Sequence, residues 1–170
     1  MALLCLGVDP GLARLGYGLV RQSGSSFQAL AFGCVETEPG MVFTRRLLRL
    51  YETLGERLEA FRLAGCSPDF MCVERLFFGR NITTAEFVWQ ARGVVLLLAA
   101  QWGLDVLEPK PSQVKMAVCG TGSADKTQVQ RMVQRLLSLD NIPRPDDAAD
   151  ALAVAFTGLA YYGYERKTRE

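Results

Sequence analysis

The sequence predicts an α/β domain built on a mixed sheet of about five strands with flanking helices. Two observations carry this expectation. Residues 2–35 read as three short strands separated by turn signals, a pattern of consecutive antiparallel pairing. From residue 43 onward, runs with helical period alternate with short strand-like runs. The 170 residues fit one domain, expected over 1–165 with a short tail at 166–170, and can bury a core without disulfides.

The first strand, 2–9, is almost wholly apolar and ends in Asp9, after which Pro10-Gly11 signals a turn. A run this apolar suits a strand covered on both faces. A lone carboxylate at its tip is costly unless a cation or hydrogen-bond donors meet it. Bracing the Asp-Pro-Gly turn is the simpler role for Asp9 taken by itself. Residues 15–20 and 26–35 supply the next two strands, with Ser23-Gly24-Ser25 between them. Over 43–63, Leu47, Leu50, Leu54, Leu58 and Phe61 form one helical stripe. Residues 69–74 then repeat the opening pattern, a short apolar strand ending in Glu74.

The segment 75–81 mixes Phe77 and Phe78 with Arg75, Arg80 and Asn81, ahead of a helix expected from Thr83 or Thr84 to Gln101. That helix is apolar almost all round over 94–100, which suits a central position or a subunit contact. A strand at 105–107, a short helix near 112–118 and an amphipathic helix carrying Val129, Val133 and Leu137 follow. The last helix is expected over about 146–162. Its first turn holds Asp146, suited to capping, and Asp147 and Asp150, three apart on one face. Capping and the helix dipole alone would account for acids in this turn.

Composition narrows the chemistry. No histidine is present, which excludes serine–histidine and cysteine–histidine catalysis and the commonest zinc sites. The five cysteines are odd in number, contain no C-x-x-C pair and read as small core residues. No apolar run of about 18 residues and no basic-then-apolar leader is present, so a cytoplasmic protein with no membrane span is expected. Net charge is +1, but it is segregated: Lys110, Lys115, Lys126, Arg131 and Arg135 precede a stretch with four acids. Two strand-tip acids meeting two helix acids would repel one another without a cation. Oxygen-only ligands would select Mg²⁺ or Mn²⁺, and such ions serve in-line attack at phosphorus.

The residues also match a known family. Gly7-Val8-Asp9-Pro10-Gly11, Gly16-Tyr17-Gly18, Val73-Glu74, Phe77, Gln90-Ala91-Arg92-Gly93 and Val114-Lys115 resemble RuvC-type Holliday junction resolvases. So do Gly120-x-Gly-x-Ala-x-Lys126-x-Gln-Val129 and Asp147-Ala-Ala-Asp150-Ala-Leu-Ala. The resemblance covers most of the chain and implies a ribonuclease H-like fold. It implies Asp9, Glu74, Asp147 and Asp150 as metal-binding catalytic acids, with two Mg²⁺ per active site, or Mn²⁺. It further implies a homodimer that nicks a four-way DNA junction symmetrically, leaving 5′-phosphate and 3′-hydroxyl ends, alongside branch-migration proteins of the RuvA and RuvB type. Lys115 and Lys126 correspond to lysines near the scissile phosphate, and Phe77 to an aromatic that stacks on unpaired bases. Arg80 and Asn81 are suited to holding the nearby DNA backbone.

Other readings stand beside this one. Phe77 and Phe78 would also serve as core residues, and Lys110 as a plain surface charge. The same basic loops suit a junction-binding scaffold that does not cut, although the four acids count against it. A sugar kinase or actin-like ATPase also ends its first strand in Asp, but needs two such domains. A ribonuclease H-like enzyme acting on RNA–DNA hybrids would use the same acids.

Overall fold

The computed structural model describes residues 2–76 and 82–169, with side chains described for 2–76 and 86–162. The strands are β1 (Leu3–Asp9), β2 (Arg14–Ser23), β3 (Ser26–Glu36), β4 (Phe70–Val73) and β5 (Asp105–Leu107). The helices are α1 (Phe43–Leu63), α2 (Ile82–Gln101), α3 (Pro111–Cys119), α4 (Lys126–Leu136) and α5 (Asp146–Arg169).

The strands form one sheet in the order β3-β2-β1-β4-β5. The meander β1-β2-β3 is antiparallel, and β4 and β5 add in parallel on the other side of β1. The strand that ends in Asp9 is therefore the central one.

Side-chain alternation along each strand sorts residues between two cores. Cys5, Phe70 and Cys72 join the core beneath α3, α4 and α5. Leu6, Val8, Met71 and Val73 join the core beneath α1 and α2. The stripe on α1 buries Leu50, Leu54 and Leu58, as its period predicts.

Helix α5 lies unusually close to the sheet. A Cβ at Gly7 would overlap the Ala151 carbonyl oxygen, and one at Gly16 would overlap that of Asp147. Ala148, Ala149, Ala151 and Ala155 are fully buried at this contact. Small residues on both sides let backbone meet backbone. The helix also continues to Arg169, past the expected end near 162 and across residue 166. The sequence signal stopped where apolar residues gave out, but Glu165, Arg166 and Lys167 are good helix formers and nothing there breaks the turn.

Two of the five cysteines, Cys5 and Cys72, are buried, while Cys34, Cys66 and Cys119 are only partly covered; all are free. Among the described residues, no helix is long and apolar enough to cross a membrane.

Candidate active site

Alternation aims the two strand-tip acids. On β1, Leu3, Cys5 and Gly7 face α5, so Asp9 does too; on β4, Phe70 and Cys72 face that side, and Glu74 continues the series just beyond the strand. Parallel pairing of Val8 with Val73 puts the two tips side by side. The first turns of α5 then bring Asp150 over them, because Gly7 and Gly16 admit the helix.

Asp9, Glu74 and Asp150 line one cleft of about 230 Å³, together with Lys115 from α3 and Lys126 from α4. Lys126 is held at the start of α4 by a reciprocal cap. Asp125 accepts from the Gln128 amide at 2.8 Å, and Gln128 accepts from the Asp125 amide at 2.9 Å. From there Lys126 Nζ lies 3.2 Å from Asp150 Oδ2 and 3.4 Å from Asp146 Oδ2.

Asp146, suited by sequence to capping, is the first residue of α5 and so sits one position past the cap. Its Oδ1 instead accepts from Arg144 Nη1 at 2.9 Å, and Oδ2 faces Lys126. Two nearby cations attract the carboxylate more strongly than backbone amides do.

The electrostatics are those of crowded acids. Burial pushes the Asp9 carboxyl up to about 7, and Asp150, Glu74 and Asp147 add to the rise while Lys126 opposes it. Glu74 is raised by burial and by Asp150, against Lys115. Asp150 is raised by burial, eased by Lys126, and raised again by Asp147 and Asp146. Burial disfavours the Lys126 ammonium, yet Asp150 and Asp146 outweigh it and hold its pKa above the ordinary value.

Asp147 is turned aside. Its Oδ2 meets Arg14 Nε at 3.1 Å and is fully covered without a hydrogen bond. It lines a second cleft, with Arg14, Arg46 and Phe87, instead of the one shared by the other three acids. Among the described residues, no three carboxylates or thiols converge tightly enough to form a ready-made metal cage. The donor set nevertheless suits a hard divalent cation: all-oxygen, crowded, and with a raised Asp9 pKa that a nearby dication would reverse.

The chain matches the family model described as crossover junction endodeoxyribonuclease RuvC over residues 5–158. It is 48% identical over 167 residues to the crossover junction endodeoxyribonuclease RuvC of Pelotomaculum thermopropionicum, covering 98% of this chain and 99% of that one. The chain belongs to the RuvC family. Among solved structures, the RuvC of Thermus thermophilus is similar with a TM-score of 0.85 and 35% identity, covering 96% of this chain and 97% of that one. The same organism's RuvC in complex with a Holliday junction substrate also matches at 0.85, with 36% identity and 94% of each chain covered. RuvC membership makes this an endodeoxyribonuclease with a ribonuclease H-like α/β fold.

Of the residues singled out from sequence, Asp9, Glu74, Asp150, Lys115 and Lys126 share one cleft, whereas Asp147 lines the second and reaches the first only through its charge, which helps raise Asp9. Phe77, Arg80 and Asn81 lie outside the described residues. Sequence reasoning passed over Arg14. The signal was available, because a tight turn after Asp9 must bring the next strand back beside the acid, and Asp9 does pair with Gly16. Glu108 was also missed; its carboxylate pairs with Arg92 of α2, whose guanidinium lies 5.6 Å from the Trp89 ring centroid.

Proposed function

We propose that the chain resolves four-way DNA junctions as a metal-dependent endonuclease, nicking two strands of like polarity and leaving 5′-phosphate and 3′-hydroxyl ends. The observation that carries this reading is the cleft where Asp9, Glu74 and Asp150 meet Lys115 and Lys126. Carboxylates alone would repel a phosphodiester; lysines alone would bind it without cutting.

Asp9, Glu74, Asp147 and Asp150 are the residues that would hold Mg²⁺ or Mn²⁺, two ions per site. Ions bound there supply an activated water and charge stabilisation at the leaving oxygen. Lys115 and Lys126 bind the scissile phosphate and offset the charge that develops on it. Phe77, Arg80 and Asn81 engage the branch point and its backbone.

The working unit is a homodimer, whose two-fold axis would match that of the junction. The outer side of α2 supports this, with Leu97 56% exposed within the apolar stretch 94–100. The nuclease domain spans 1–165 and acts in the cytoplasm beside branch-migration proteins of the RuvA and RuvB type.

The test uses end-labelled synthetic four-way junctions, with linear duplex and RNA–DNA hybrid as controls, in Mg²⁺, Mn²⁺ or chelator, alongside Asp9→Asn. Paired symmetric nicks in the junction alone, dependent on metal and lost in the variant, are expected. Tight junction binding without cuts under any metal would replace the reading with a scaffold; preferential cutting of the hybrid would replace it with a ribonuclease H activity.

A further inference from the structure

Asp147 lines the second cleft, near enough to the first for its charge to raise Asp9, and its partner in the structure is Arg14. The backbone at this point is seated tightly on the sheet, with Gly16 packed directly beneath the Asp147 carbonyl. A change in what Asp147 binds therefore comes from its side chain, by rotation between staggered positions. The pair with Arg14 is suited to exchange. The 3.1 Å approach of Nε to Oδ2 forms no hydrogen bond, and the Arg14 side chain is 54% exposed. With the guanidinium half exposed and no hydrogen-bond alignment the pair is weak, although the Asp147 side chain is only 21% exposed and its Oδ2 is covered.

The cleft beyond Asp147, about 360 Å³, lies between the β1–β2 turn and helices α1 and α2. Arg46 also lines it, anchored by its Nε donating to Thr37 Oγ1 at 2.8 Å. Arg14 already lines this cleft, and its guanidinium, once released from Asp147, would be free to act there beside Arg46. Two guanidiniums in a cleft also lined by Phe87 form a surface suited to a DNA phosphate and its neighbouring sugar or base.

We propose that Arg14 competes with the active-site ion for Asp147, so that ion binding frees Arg14 to take a DNA phosphate in the second cleft. This rests on the reading of Asp147 as a metal ligand given above. Arg14 is then a positioning residue: it acts on the ion through Asp147 and couples ion binding to DNA binding. Thermodynamic linkage makes the coupling reciprocal, since a phosphate that takes Arg14 leaves Asp147 to the ion.

Mn²⁺ alone is titrated into the full chain, and free Mn²⁺ is followed by its paramagnetic resonance, for wild type, Arg14→Ala, Arg14→Lys and Asp147→Asn. Arg14→Ala is expected to bind Mn²⁺ about three- to fivefold more tightly than wild type. Arg14→Lys should stay near the wild-type value. In chelator, the loss of junction affinity caused by Arg14→Ala should be larger in an Asp147→Asn background, where Arg14 is already free, than in wild type. Weaker or unchanged Mn²⁺ binding by Arg14→Ala, with Asp147→Asn still impaired, overturns the competition and leaves the metal site standing. Mn²⁺ binding by Asp147→Asn equal to wild type removes the metal role of Asp147 itself, and the competition with it.

Discussion

Lys126 Nζ spans Asp150 and Asp146 at 3.2 and 3.4 Å, so a single ammonium offsets an acid inside the cleft and one beside it. It also lowers the Asp9 pKa against the three neighbouring acids. Replacing Lys126 with Met should slow junction cleavage by about 10- to 1000-fold. The acidic limb of the pH–rate profile should also move to higher pH, because Asp9 and Asp150 become harder to ionise. A slower enzyme with an unmoved acidic limb would confine Lys126 to phosphate binding.

Asp9→Asn should separate activity from stability. Asp9 is a buried carboxyl among like charges, and its amide analogue carries no charge to desolvate. In chelator at pH 8, the variant is expected to be more stable than wild type by about 1–3 kcal/mol in urea denaturation, while cleaving nothing. A less stable variant would mean that Asp9 is held by structural partners.

The same group sets a pH dependence. Asp9 keeps its proton in the folded chain up to about 7, whereas the unfolded chain releases it near the ordinary aspartate value of 3.8. Between those values the folded state binds more protons, so stability falls as pH rises and levels off above about 7. Glu74 and Asp150, also raised, act in the same direction. The difference between wild type and Asp9→Asn in chelator should therefore grow from pH 4 to 7, by at most about 4 kcal/mol. Added Mg²⁺ should shrink it. A gap that stays constant with pH would rule out a raised Asp9 pKa.

The sequence was most informative where one residue pattern sufficed. Apolar runs ending in Asp9 and Glu74 mark the tips of β1 and β4, and the leucine stripe marks α1 from Phe43 to Leu63. Pairings between distant elements were less accessible. Nothing local shows that Lys126 reaches back over Asp150, or that Arg92 finds Glu108. Asp146 was read as a cap because helix-start acids usually bond to amides, but the approach of α4 supplied a stronger partner. Asp147 and Asp150 were grouped because they share a helix face; Arg14 draws the first of them away.

Gly16→Ala should test how α5 is seated. The added methyl would overlap the Asp147 carbonyl oxygen, and neither strand nor helix backbone yields easily. A loss of about 3 kcal/mol is expected in urea denaturation, together with weaker Mn²⁺ binding as the start of the helix is pushed off the sheet. Unchanged stability would show that the helix can ride outward at little cost.

The close seating of α5 on the sheet bears on how distant chains are judged. Aligned acids invite acceptance of a distant chain as a relative, yet Asp9, Glu74 and Asp150 share one cleft only because glycines at 7 and 16 and alanines at 148, 151 and 155 let two backbones touch. These residues carry no chemistry and would escape a search for reactive groups. A chain that kept every acid but acquired a valine at one of the glycines would retain the reagents and lose their meeting place. Inheritance of this activity is thus recorded as much in what the side chains lack as in what they bear.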